Sequence, residues 1–118
     1  MAVEQSSTQR LDQIMHGDCL KELGRFEDNC IDLSVFSPPY DGIRDYKNNW
    51  SIDFTALGRH LFRVTKDGGV VVVVMGDGTR NFAKSLTTFS LAGDWCGKAG
   101  WRLVEACIYK RDGNPGAW

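Results

Sequence analysis

Ile31-Asp32-Leu33-Ser34-Val35-Phe36-Ser37-Pro38-Pro39-Tyr40 decides the fold of this chain, because an apolar run ends there abruptly in a polar-Pro-Pro-aromatic tetrapeptide. Six residues rich in β-branched and aromatic side chains read as a strand, too apolar for a surface edge and therefore expected at the centre of a sheet. The two prolines fix their own φ near −65° and supply no N–H, so the chain beyond Phe36 is stiff and extended. A rigid turn at the carboxyl end of a strand lies where open α/β sheets hold their ligands. Ser37 offers a hydroxyl, the Ser37 and Pro38 backbones offer carbonyl acceptors, and Tyr40 offers a ring face. Two acceptors beside one aromatic plate suit a planar –NH₂ group. Taken alone, the tetrapeptide is equally a plain strand terminator.

Outward from this stretch, helical and strand periods alternate, the pattern of an α/β layered domain. A first strand is expected over 12–16, ending in the Gly17-Asp18 turn. A short helix follows over 19–26, with Asp18 as N-cap and Leu20 and Leu23 turned inward. The polar and aromatic segment 41–50 reads as a functional lid or a connection. Residues 51–65 form a helix with Phe54, Leu57, Leu61, Phe62 and Val64 on a wide apolar face. Lys66-Asp67-Gly68-Gly69 is its C-terminal turn. The unbroken apolar run 70–75 is expected to be a fully buried parallel strand. A helix over 82–99, interrupted near Gly93, and a last strand over 101–109 complete the pattern. Residues 1–10 and 111–118 are expected to be flexible ends of a single domain over 1–118.

Composition sets bounds on function. At 118 residues the chain is one domain at most. It can bury roughly two-thirds of its unfolded surface. A formal net charge of −1 gives no global basic signature, so contact with nucleic acid would need local patches. The mixture of Arg44, Tyr46, Lys47 and Trp50 suits stacking with phosphate neutralisation, although Trp50 also suits the core. Arg80, Lys84, Lys110 and Arg111 fall in loops or near strand ends, and each also reads as solvated charge. The run 70–75 is too short to cross a bilayer, and the polar start, with Ser6-Ser7-Thr8, has no signal-peptide core, so a cytoplasmic location is expected. Cys19, Cys30, Cys96 and Cys107 contain no Cys-x-x-Cys pair and only His16 and His60 accompany them, so neither a metal site nor a disulfide is assigned.

Two glycine-bearing turns stay open between structure and ligand. Gly76-Asp77-Gly78 follows a strand but lacks the third glycine of a nucleotide-binding fingerprint, so a tight turn competes with a phosphate role. Asp18 at a helix start serves either as a cap or as a ligand contact.

The stretches Met15-His16-Gly17-Asp18-Cys19-Leu20-Lys21-Glu22-Leu23, 31–40 and 61–77 together resemble the amino-terminal catalytic part of the amino-DNA methyltransferases, in the circularly permuted beta-type subgroup. The resemblance covers nearly the whole chain. It implies a partial Rossmann-like methyltransferase fold of about four strands and three helices, and S-adenosylmethionine as methyl donor. It places Ser37, Pro38, Pro39 and Tyr40 in the catalytic motif and Asp18, Cys19 and Ser37 beside the cofactor. Arg44, Tyr46 and Lys47 would face double-stranded DNA.

The implied reaction is direct methyl transfer to the exocyclic amine of a flipped base, with Tyr40 stacked on that base and Ser37 and the Pro38 carbonyl accepting the amine hydrogens. Ser at the first motif position leans toward cytosine-N4 over adenine-N6. No Pro-Cys motif for carbon-5 cytosine methylation is present, and amine attack requires neither a covalent intermediate nor a metal. A complete permuted enzyme continues into a target-recognition region and a Phe-x-Gly-x-Gly loop, which this sequence lacks. The isolated chain is therefore expected to be a catalytic half whose activity is open, completed by a second chain or by dimerisation. Two alternatives remain: a non-catalytic or split fragment that binds DNA or a partner, and an amine methyltransferase acting on RNA or on protein glutamine.

Overall fold

The computed structural model describes residues 11–38 and 52–109. Helix α1 (Cys19–Gly24) leads through a tight connection into strand β1 (Ile31–Phe36). Helix α2 (Phe54–Val64) runs without a break into strand β2 (Thr65–Val73), which pairs parallel to β1. A two-residue hairpin, β3 (Thr79–Arg80) with β4 (Ala83–Lys84), precedes helix α3 (Thr87–Lys98).

Local chemistry accounts for these boundaries. Asp53 Oδ1 accepts from the Ala56 N–H at 3.0 Å and starts α2. At its other end, Thr65 Oγ1 donates to the Leu61 carbonyl at 2.6 Å, while the Asn29 and Cys30 N–H groups donate to the Arg63 and Val64 carbonyls. The chain entering β1 thus satisfies the carbonyls that a helix end leaves open. The helix-ending turn expected over 66–69 is instead part of β2, where the two glycines lie in a bulge: Ile31 faces Thr65 but Leu33 faces Val70. Gly68 has φ of 79°, and a Cβ on Gly69 would lie 2.5 Å from Thr65 Cγ2 and 3.0 Å from the Asp32 carbonyl oxygen. Glycine is needed at both positions.

Leu57, Leu61 and Trp95 form the buried core, ringed by half-buried residues that include Leu20, Leu23, Phe36, Val71 and Val73. Arg63 fastens α1 to α2: its guanidinium donates to the Leu23 carbonyl at 2.8 Å, to the Phe26 carbonyl at 2.7 Å and to Asp28 at 2.6 Å. Across α2, Trp95 donates its indole N–H to the Phe54 carbonyl and Trp101 donates to the Gly58 carbonyl, both at 2.8 Å. Trp101 also meets the Phe62 ring edge to face at 5.4 Å.

Several expectations are corrected. Residues 12–16 are not a strand, and Asp12 has a φ of 56°. Residues 101–109 are not a strand either, with Val104, Ile108 and Tyr109 almost fully exposed. A strand exists only as a member of a ladder, and among the described residues the main sheet has two members, β1 and β2. The described residues hold four strands and three helices, but two of the strands belong to the separate hairpin. The parallel α/β arrangement is present, whereas a Rossmann-like sheet order needs more strands than these.

The apolar run 70–75 is not fully buried, nor is β1 shielded on both sides. Leu33, Val35, Val70, Val72 and Val74 lie between 42% and 61% exposed on the face opposite the helices. The helix expected over 82–99 starts only at Thr87 and passes unbroken through Gly93. Asn81 and Phe82, both with positive φ, make the hairpin turn that occupies its expected first residues.

Candidate active site

Two segments distant in sequence meet at the carboxyl end of the parallel pair. On one side β1 ends at Phe36, whose carbonyl accepts from the Val74 N–H at 2.9 Å, and the chain continues through exposed Ser37 to buried Pro38. On the other side the Gly17-Asp18 turn opens α1, and Asp18 Oδ1 accepts from the Leu20 and Lys21 N–H groups, each at 3.1 Å. Between them lies a cavity of about 400 Å³, bounded by Gly17, Cys19, Glu22 and Leu23 on the α1 side and by Phe36 and Pro38 on the strand side. Leu57 and Leu61 of α2, together with Ile52, contribute further apolar wall. Ligand clefts commonly run from about 300 to about 1,000 Å³ and are largely apolar with a few placed polar groups. This one has room for a nucleoside-sized group.

The site residues expected from sequence divide accordingly. Cys19 and Pro38 line the cavity together, Ser37 sits between two lining residues, and Asp18 is an exposed helix cap. Pro39, Tyr40, Arg44, Tyr46 and Lys47 lie outside the described residues. Burial pushes the Cys19 thiol above its ordinary pKa, and the neighbouring Asp18 charge adds to the effect. A thiol so held stays protonated at neutral pH and is a poor nucleophile. The cavity is suited to binding and positioning, since its chemistry-bearing groups are a neutral thiol and one carboxylate.

That carboxylate belongs to Glu22, which sequence reasoning did not single out. It is the one charged side chain among the described residues that line the cavity. Its signal was its spacing: four residues after Asp18, on the next turn of the same helix. Arg25 Nη1 donates to both Glu22 oxygens, at 3.0 and 3.3 Å. A Cβ on Gly17 would lie 2.8 Å from Glu22 Oε1, so the bare glycine is what lets the carboxylate lie against the turn.

The Gly76-Asp77-Gly78 turn resolves toward a structural role. Asp77 Oδ1 accepts from the Thr88 N–H at 2.8 Å and from the Ser85 hydroxyl, capping α3 from a distant loop. Among the described residues, no group of three or more His, Cys, Asp or Glu side chains is placed to hold a metal ion, and no helix is long and apolar enough to cross a membrane.

A parallel strand pair with helices packed on one face and a cavity at its carboxyl end places the described residues in the α/β class. Comparison with known proteins narrows the class. The chain is 42% identical over 85 residues to the orphan methyltransferase M.BamHII of Bacillus amyloliquefaciens, a match covering 72% of this chain and 31% of that protein. It is thus a partial homologue of a methyltransferase, spanning about a third of that relative's length. No protein-family model matches the chain, and no solved structure does.

Proposed function

We propose that this chain is the amine-pocket portion of an S-adenosylmethionine-dependent DNA methyltransferase, acting on the exocyclic amine of a flipped base with cytosine-N4 preferred over adenine-N6. The observation that carries the reading is the meeting of the Gly17–Cys19 turn and the Phe36–Pro38 strand end at one cavity. Those two segments carry the sequence resemblance independently, and nothing local in the sequence requires them to touch. The relative's being a methyltransferase supports the same donor and reaction type.

The residues present fit the donor. The apolar wall of Phe36, Ile52 and Leu57 suits a flat ring, and Glu22 and Cys19 supply polar atoms at its edge. S-adenosylmethionine, when bound, supplies an activated methyl group. The chain's own contribution is to hold the target amine. The Ser37 hydroxyl and the Pro38 carbonyl accept its hydrogens, which withdraws the nitrogen lone pair from the ring and exposes it for attack. Tyr40 stacks on the flipped base and keeps it out of the duplex. Arg44, Tyr46 and Lys47 contact the DNA backbone and its bases.

A second reading is favoured by one specific observation: five apolar side chains are about half exposed on the outer sheet face. Contiguous exposed apolar patches mark interaction surfaces. The chain would then act only when the other two-thirds of such an enzyme, or a second copy, covers that face. Transfer of a labelled methyl group from the donor to duplex DNA tests the activity, with Ser37→Ala as control. Labelled tRNA or protein in place of DNA would refute the DNA substrate. Donor binding without transfer would favour the incomplete-enzyme reading.

A further inference from the structure

The sequence resemblance puts Asp18 against the adenosyl group, yet its Oδ1 is committed to two N–H groups of α1 and the residue is exposed. Glu22, one helical turn further, instead lines the cavity with its side chain 23% exposed. A carboxylate has two oxygens and about four acceptor positions. Arg25 approaches both oxygens with a single nitrogen, which leaves acceptor capacity toward the cavity. The surrounding wall, including Phe26, Phe36 and Leu57, is apolar and suits the faces of a heteroaromatic ring. An acceptor at the edge of such a slot recognises a ring that carries an N–H₂ group and rejects one that carries a carbonyl oxygen there, since two acceptors repel.

We propose that Glu22 is the base-selecting residue of the cofactor cavity, accepting a hydrogen bond from the exocyclic amine of an adenosyl ligand. Resting on the methyltransferase reading, this inference adds the group that selects the ring. Arg25 holds the carboxylate in place, and Gly17 is small so that it can lie against the turn.

Calorimetric titration with S-adenosylhomocysteine and with S-inosylhomocysteine tests the assignment, because the two ligands differ only at the ring edge, where the amine becomes a carbonyl and the adjacent ring nitrogen gains a hydrogen. The wild-type chain should prefer the adenosyl ligand by at least about 10-fold, since a site built to bond a ligand N–H discriminates strongly against an analogue without it. Glu22→Gln, which keeps the shape and adds a donor, should bring the ratio to about 1. Asp18→Asn retains a good N-cap and should leave the ratio unchanged, whereas Arg25→Ala, which removes the group that holds the carboxylate in place, should lower it. Circular dichroism confirms that each variant is folded.

If Asp18→Asn collapses the ratio while Glu22→Gln preserves it, the assignment to Glu22 is wrong and the methyltransferase reading stands. Equal wild-type affinity for both ligands also overturns it. If neither ligand binds the wild-type chain, both the assignment and the cofactor reading fall.

Discussion

Gly58→Ala separates helix propensity from close packing. Gly58 lies inside α2, where alanine is worth about 1 kcal/mol more than glycine by propensity alone. The structure opposes that gain. A Cβ at position 58 would lie 2.5 Å from Trp95 Nε1, 2.6 Å from Cδ1 and 2.8 Å from Cε2, whereas favourable carbon contacts fall at about 3.5 to 4.0 Å. The indole must therefore retreat by about 1 Å. Its freedom to do so is small: Trp95 is 5% exposed, donates to the Phe54 carbonyl at 2.8 Å and stacks on Trp101 with centroids 6.2 Å apart. Overpacking costs about 1–3 kcal/mol, and loss of the indole hydrogen bond adds about 1 kcal/mol.

Set against the propensity gain, the net is a destabilisation of about 1–3 kcal/mol, or roughly 4 °C in Tm for each kcal/mol in a chain of this size. Gly93→Ala is the matched comparison. It too is inside a helix, α3, but a Cβ there meets nothing within 4 Å, so propensity alone should act and stabilise by about 0.5–1 kcal/mol. Urea unfolding of both variants, followed by tryptophan fluorescence and far-UV circular dichroism, reads the difference. A Gly58→Ala chain as stable as wild type or more so would refute the close approach of α2 and α3.

Three further outcomes follow from the contacts. Arg63→Met should cost about 2–4 kcal/mol in urea unfolding, because three acceptors at the end of α1 lose a charged donor; Arg63→Lys should recover less than half, since an ammonium cannot span the fork. Cys19 should alkylate more slowly than exposed Cys96 and Cys107, and S-adenosylhomocysteine should slow it further, which peptide mapping after timed iodoacetamide treatment would show. The Asp94 carboxyl is held below its ordinary pKa, first by the Lys98 ammonium and then by the Thr55 hydroxyl, which donates to it at 2.6 Å. Its folded pKa being depressed, this contribution is present above about pH 4 and disappears as the pH falls through the lower folded value, so Asp94→Asn should flatten the acid side of the stability profile below about pH 4 and leave its alkaline side unchanged.

What was legible in the sequence is what local chemistry decides. The bounds of β1, the cap at Asp18 and the apolar face of α2 each follow from residues within one or two turns of one another, and the structure shows all three. The hairpin at 79–84 was missed because Asn81 and Phe82 adopt positive φ, a conformation that a bulky phenylalanine rarely signals. Glu22 was missed for a different reason. On a helix its carboxylate reads as the partner of Arg25, and only the placement of β1 and α2 opposite it turns that ion pair into a cavity wall.

Segments 12–16 and 101–109 are both expected as strands from the sequence and neither is one. Both segments carry an apolar pattern, but a strand depends on a neighbour elsewhere in the chain or in another chain. Leu33, Val35, Val70, Val72 and Val74 are about half exposed on the outer face of the sheet. Helices α1 and α2, packed on the inner face, build the cavity together with the end of β1. The cavity and the exposed apolar side chains therefore lie on opposite faces of β1 and β2, and under the proposed function a substitution such as Val72→Ser on the outer face should leave S-adenosylhomocysteine affinity unchanged, which calorimetric titration would check.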